Sequence, residues 1–337
     1  MAWRLSTSIL LCLVLILFSC SWQGGSLSPL ARIGAITAGG YHTCVLTLEG
    51  TGYGSNVPLF ESTSPYYQFP RRLPSTDLSS SPLDSVREVL CWGADESGQL
   101  GDGTELNNKN TPVAVAGLRG QVSAIAPGGR HMCALTAAGG VFCWGNNDAG
   151  QLGDGTETNA RTPVDVLGLT NGIIAVEAGG HHTCALSGSS VVKYLGDNED
   201  GQLGDGTTVD KNTPVDVMGL TRGARVIAAG GYHTCAVNTA GSVLCWGNND
   251  DGELGAGGAI DQNIIVEASG LTAGIGAIAA GELHTCALTT AGAVKCWGDT
   301  SQGQLGNGTT IDALTPVDVV HSIQTPAFSQ IIYARRF

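Results

Sequence analysis

The sequence predicts an all-β fold, a β-propeller of about five four-stranded blades. Three observations predict it. First, one text recurs at a fixed interval. The histidines of an H-x-C element stand at His42, His131, His182, His233 and His284, the last four 51 residues apart, and a Q-L-G-like element begins at Gln99, Gln151, Gln202, Glu253 and Gln304. A period near 50 residues marks a repeat architecture. Second, each copy holds four short stretches of strand character, the content of one blade. Third, glycine supplies 50 of 337 residues, about twice ordinary usage, which suits short strands joined by tight turns.

The chain opens with "MAWRLSTSILLCLVLILFSC", one positive charge at Arg4 and then an apolar run from Ile9 to Phe18. Such a run is too short to span a bilayer and suits the core of a signal peptide, assigned to residues 1–20. Leu17-Phe18-Ser19-Cys20 resembles a bacterial lipobox, which would place a lipid on Cys20. Cleavage just after Cys20 or Ser21 without lipid is the alternative. Either way the expected location is the cell envelope or the medium.

The propeller is assigned to residues 31–320. In one unit its strands read "RVIAAGG" (Arg225–Gly231), "HTCAV" (His233–Val237), "SVLCWG" (Ser242–Gly247) and, after a long polar loop, a "TPVDV"-type stretch such as Thr213–Val217. Proline in that last stretch fits an edge strand, where a missing N–H is tolerated. Unit one starts at Ile33 with no preceding "TPV", and the chain carries a late copy at Thr315–Val320. That arrangement suggests a ring closed by the C-terminal strand joining the first blade, which would hide two sheet edges. Residues 51–88, rich in Ser and Pro, break the pattern and read as a surface insertion in unit one. Residues 321–337 are assigned as a C-terminal tail.

In an oxidising compartment, regularly spaced cysteines read as disulfides before metal ligands. In "CALTAAGGVFC" a hairpin with the loop Ala137-Ala138-Gly139 sets Cys133 opposite Cys143, with Gly139 at the left-handed position that such a loop requires. Cys235/Cys245 and Cys286/Cys296 repeat the arrangement with Gly241 and Gly292. A closed loop this short stabilises by roughly 2.5–3 kcal/mol in the chain-entropy model. Cys44 and Cys91 are expected to pair across the insertion. Cys184 faces Tyr194 instead of a cysteine, Leu195 replaces the repeat's tryptophan, and the turn Gly188-Ser189-Ser190 lacks the late glycine, so Cys184 is expected to be a free thiol or a small buried hydrophobe. The tryptophans Trp92, Trp144, Trp246 and Trp297 are expected to pack between blades.

Zinc needs four converging ligands at spacings such as C-x2–4-C, and "HTC" with one further thiol falls short. A catalytic Cys–His pair needs a free thiolate, whereas most of these cysteines have partners. The recurring histidine is read as a buried group bonding backbone at a blade corner. "DNEDGQLGDGT" (Asp197–Thr207) evokes a calcium loop, yet the EF-hand glutamate at position twelve is missing. Asp-Gly and Asn-Gly turn chemistry accounts for it. No metal and no cofactor are expected.

The net charge of −13 argues against nucleic-acid partners, whose phosphates need lysine and arginine, and leaves the membrane only through a lipid on Cys20. The motifs "AAGGYHTCAV" (Ala228–Val237), "VLCWGNNDDGELG" (Val243–Gly255), "GQLGDGTT" (Gly201–Thr208) and "NTPVDV" (Asn212–Val217) resemble the repeats of the regulator of chromosome condensation family in its exported bacterial form. That resemblance implies a propeller. The family's propellers have seven blades, so five units imply a five-bladed ring, an open arc or a piece of a larger parent, and the late "TPV" strand favours the ring. The resemblance also implies that the fold can act by binding alone.

The expected function is that of an exported, non-enzymatic scaffold binding a protein or cell-surface partner through its loops. The alternatives are a structural lipoprotein anchored in the envelope and a hydrolase. A hydrolase would need a unique carboxylate pair, and residues read as breaking the repeat, such as Asp261, Glu267 and Glu282, are its candidates.

Overall fold

The structure, a computed structural model, describes residues 32–48, 88–104, 106–220 and 223–320. The leader with Cys20, residues 51–87 of the insertion and the tail 321–337 lie outside the described residues.

Among the described residues twenty strands form five antiparallel four-stranded sheets, each in chain order. Blade 1 holds β1 (Arg32–Ala38), β2 (His42–Leu48), β3 (Val89–Gly93) and β4 (Lys109–Ala114). Blade 2 holds β5 (Val122–Pro127), β6 (His131–Thr136), β7 (Val141–Gly145) and β8 (Ala160–Asp165). Blade 3 holds β9 (Ile173–Ala178), β10 (His182–Ser187), β11 (Val192–Gly196) and β12 (Lys211–Asp216). Blade 4 holds β13 (Ala224–Ala229), β14 (His233–Asn238), β15 (Val243–Gly247) and β16 (Gln262–Glu267). Blade 5 holds β17 (Ile275–Ala280), β18 (His284–Thr289), β19 (Val294–Gly298) and β20 (Ala313–Asp318). First strands of successive blades touch, so they lie innermost. The fourth strands, with Pro112, Pro163, Pro214 and Pro316 in four of them, form the largely exposed outer edge.

The alternation along each strand explains the packing. In the second strands, Cys235 and Val237 point to one side, and Val243 and Cys245 of the third strand join them. The next blade answers with an isoleucine or valine of its first strand and its tryptophan. Ile278 and Trp297 pack on the blade 4 face, and Ile125 and Trp144 pack on Cys44–Cys91 of blade 1.

The late strand corrects the expected pairing of the last "TPV" copy with the first blade. β20 pairs with β19, Cys296 opposite Val317, and blade 1 draws all four strands from residues 32–114. Each polar loop returns its "TPV"-type strand to the hairpin just before it, so the last copy completes blade 5 and does not join blade 1. Four junctions between successive blades carry a backbone bond at the inner corner: Gly40 N–H to Gly128 O at 3.4 Å, Gly129 to Gly179 at 3.1 Å, Gly180 to Gly230 at 3.2 Å and Gly231 to Gly281 at 3.2 Å. Among the described residues no such bond joins blade 5 to blade 1. Ile36 of β1 is 40% exposed, where Ile125, Val176, Ile227 and Ile278 at the same position are 0–6%. Among the described residues the fifth junction therefore lacks the contacts of the other four.

Candidate functional site

Between the first two strands of every blade lies a tight corner, Gly-Gly-x-His in blades 1 to 4 and Gly281-Glu282-Leu283-His284 in blade 5. Its fixed part is scaffold. His131, His182 and His233 are fully buried. Their Nε2 atoms meet Thr183, Thr234 and Thr285 Oγ1 of the next blade at 3.0, 3.0 and 2.8 Å. Each threonine gives its hydroxyl hydrogen to a loop carbonyl, Gln151, Gln202 or Glu253 O, at 2.8–3.0 Å. It therefore accepts from the histidine, which fixes the Nε2–H tautomer. Burial first, then neighbouring histidines, lowers these three imidazoles to about 3, and burial lowers His42 to about 4. All four are neutral at physiological pH, and His131, His182 and His233 serve the junctions.

The variable part is the residue before the histidine: Tyr41, Arg130, His181, Tyr232 and Leu283. Four side-chain types hang on one repeated frame. Each residue's main-chain carbonyl accepts the N–H that opens the following polar loop, from Ala94, Asn146, Asp197, Asn248 and Asp299, at 2.8–3.0 Å. The row therefore shares an end of the propeller with the loops. Tyr41 is 70% exposed and Tyr232 36%; Arg130 is exposed and His181 half-buried. The rings of His181 and Tyr232 approach to 6.4 Å across the junction of blades 3 and 4. Beside them Glu96, Asp148, Glu199 and Asp250 are exposed on the loops. Burial raises the Asp200 carboxyl, with Asp261, Asp197, Asp250 and Glu199 adding to the rise, so negative charge crowds the loops of blades 3 and 4. Tyrosine and arginine at an exposed, fixed backbone position suit contact with a partner.

The loops themselves are closed by their own side chains. Asn147 Oδ1 accepts Leu152 N–H at 2.9 Å, and its Nδ2 donates to Thr156 O and Thr158 O. Asn198 repeats this with Leu203, Thr207 and Val209. Asp205 pairs with Lys211 at 3.3 Å. Turn chemistry thus holds these loops closed.

The cysteines sit where hairpin register puts them. Cys44–Cys91, Cys133–Cys143, Cys235–Cys245 and Cys286–Cys296 are bonded, each with Cα atoms 4.1 Å apart. Glu88 O accepts the Thr47 N–H at 2.8 Å, so the hairpin closes at the base of the insertion. Cys184 is a buried free thiol. Cys20 lies outside the described residues. Of the carboxylates read as breaking the repeat, Asp261 proves to be a repeat copy, its Oδ1 accepting Asn249 N–H at 2.8 Å as Asp210 accepts Asn198 N–H and Asp312 accepts Thr300 N–H; Glu267 is exposed on β16, and Glu282 is exposed at the blade 5 corner. Two perturbed acids were not singled out in the sequence, the half-buried Glu177 and the buried Glu253. Glu177, which faces Cys184 across β9 and β10, is raised by burial to about 8. Glu253, in the glutamine position of its loop, is raised by burial to about 7. Aligning the first strands would have found Glu177, since Thr37, Ala126, Ala228 and Ala279 fill that position elsewhere.

Comparison with known proteins adds the following. A family model described as the RCC1-like domain matches residues 77–335. The ultraviolet-B receptor UVR8 of Arabidopsis thaliana is 33% identical over 237 residues, 68% of this chain and 53% of the receptor. The human E3 ubiquitin-protein ligase HERC2 is 34% identical over 234 residues, 68% of this chain and 5% of the ligase. The chain thus spans about half the length of the first relative and a twentieth of the second. Among solved structures, human WBSCR16 superposes with a TM-score of 0.65 at 22% identity, covering 88% of this chain and 83% of that one. Yeast RCC1 (Prp20), solved bound to Kap60, gives 0.63 at 20% identity, covering 86% and 75%.

Proposed function

The chain belongs to the RCC1-like domain family, and from that premise we propose that it is an exported, non-enzymatic propeller that holds a protein or cell-surface partner. The contact is made by the corner row Tyr41, Arg130, His181 and Tyr232 with the acidic loops beside it. One observation carries the reading: the corner backbone is held in the same way in every blade, while its outward residue changes from blade to blade. A frame that repeats supplies stability, and a row that varies supplies specificity. Solved relatives of this fold are named for protein partners, Kap60 in one case, and Gsp1p and histones in another. The ligase activity in the HERC2 name is not carried over, because the match spans 5% of that protein.

Export rests on the leader and on the four cystines, which persist in oxidising compartments. A second reading, an envelope lipoprotein, rests on Leu17-Phe18-Ser19-Cys20, and the mass of the mature N-terminal peptide decides it. For the binding reading, the experiment is capture of a partner from envelope and medium by the oxidised chain, compared with Tyr41→Ala/Arg130→Ala/Tyr232→Ala. Loss of an aromatic or arginine anchor typically weakens binding by about tenfold or more. Equal capture by the variant, or turnover of glycosides or esters, would refute the reading.

A further inference from the structure

Among the described residues the fifth junction leaves two unmatched faces, and the blade 5 face has a candidate occupant within the chain. At the other junctions a second-strand residue and a third-strand valine are covered by the next blade. Leu46, Leu135, Leu186 and Val237 are 0–3% exposed, and Val89, Val141, Val192 and Val243 are 0–2%. Their blade 5 counterparts, Leu288 and Val294, are only half-buried, as is His284. What covers the others is the first strand of the following blade. It reads Ile125-Ala126-Pro127, Val176-Glu177-Ala178, Ile227-Ala228-Ala229 and Ile278-Ala279-Ala280.

We propose that Ile331–Arg336 of the tail docks on this face as a lone first strand, with Ile332 against Leu288 and Val294. Four observations converge on this occupant. The tail reads Ile332-Tyr333-Ala334, an isoleucine, one residue and an alanine, as the inner strands of blades 4 and 5 do. The family match runs on to residue 335, past β20. The connection reaches: each covering residue follows the preceding fourth strand by 11 positions (Ala114 to Ile125, Asp165 to Val176, Asp216 to Ile227, Glu267 to Ile278), and Ile332 follows Asp318 by 14. The charges match as well. A Cβ on Gly231 would lie 2.7 Å from Glu282 O, so these corner positions abut across a junction. The corresponding pair at the fifth junction is Glu282 and Arg336. A lone strand can sit back to admit the Glu282 side chain, whereas a full blade is held at the close backbone approach of the other corners.

Hydrogen exchange on the oxidised full-length chain tests this. The amides of 330–334 are expected to exchange at least about tenfold more slowly than in the free peptide 321–337, as pairing requires. Ile332→Asp should return them to the peptide rate and speed exchange around Leu288, while Ile331→Asp, on the opposite face, should not. Arg336→Glu should lose the protection, and Glu282→Arg in that background should restore it. Exchange of blades 2 to 4 reports that the variants fold. Peptide-like rates in the unaltered chain, equal effects of the two aspartates, or protection that grows with protein concentration (the sign of a second copy) would each overturn the proposal.

Discussion

Blades 3 and 4 are neighbours built from the same text, and they hold their sheets together in different ways. Blade 4 ties β14 to β15 with Cys235–Cys245, turns through Gly241 with φ at 85°, and sets Ala228 opposite Cys235. Blade 3 has the free thiol Cys184 opposite Tyr194, turns through Ser190 with φ at 63°, and sets Glu177 opposite Cys184. Yet β10 and β11 keep the register of β14 and β15 residue for residue. Tyr194 is fully buried and meets Trp246 of blade 4 edge-on at 5.4 Å. The lesson is that the cross-link does not set the geometry. The repeat sets it, and either a cystine or a packed aromatic ring can fill the position between blades.

The largest expected effect that would sharpen this comparison is Tyr194→Ala. It opens a cavity under Trp246 and should cost about 3–5 kcal/mol. Urea unfolding followed by tryptophan fluorescence measures it, and a cost under about 1 kcal/mol would mean that the ring is not blade 3's substitute for the cystine. Next comes Cys235→Ala/Cys245→Ala, expected to cost about 2.5–3 kcal/mol through loss of the closed loop, with blade 4 still folded as blade 3 is. If the double variant instead unfolds blade 4 alone in a proteolysis assay, the two blades are not equivalent.

The third prediction concerns pH. The Glu177 carboxyl is raised by burial from 4.5 to about 8 in the folded chain. Between those values the unfolded state loses the proton and the folded state keeps it. Stability from this group is therefore full below pH 4.5 and falls as pH rises towards about 8. Glu177→Gln should remove that fall and gain on the order of 2 kcal/mol at pH 7, read from melts between pH 5 and 8. The buried histidines act with the opposite sign. His182 and His233, lowered from 6.5 to about 3, cost stability as pH falls below 6.5, and they do so in both blades. Glu253, raised to about 7 in the loop of blade 4, acts with the same sign as Glu177, so each blade carries one such acid at a different place. The smallest effect is Ser190→Gly, expected to stabilise by about 1 kcal/mol or less, because a side chain in the left-handed region is strained and glycine is not. No gain in the melting temperature would show that the turn is relaxed by its neighbours; Ser187 Oγ already accepts Val191 N–H at 3.1 Å.

Much of the architecture was legible. The period of the H-x-C and Q-L-G elements marked five units, and hairpin arithmetic at Gly139, Gly241 and Gly292 placed Cys133 opposite Cys143 and its equivalents, because strand register is a local property. The corner residues Tyr41, Arg130, His181 and Tyr232 could be read as a varying position, though not as an exposed row beside the acidic loops. Glu177 was hidden because its charge state follows from burial among other strands, and nothing in "IIAVEAGG" states that burial.

The sequence by itself determined the unit: four strands, their register, the capped loops and the glycine corner, all set by residues within about fifty positions of one another. Only the tertiary structure decided how the units meet. A tandem text can be cut at any point of its period, so the late "TPV" copy reads equally well as the partner of the first blade or of the last. The same ambiguity covers Ile36, which is the same residue type as Ile125 and yet is exposed. Its burial depends on whether a blade precedes it, a contact between residues more than two hundred positions apart that no local pattern encodes.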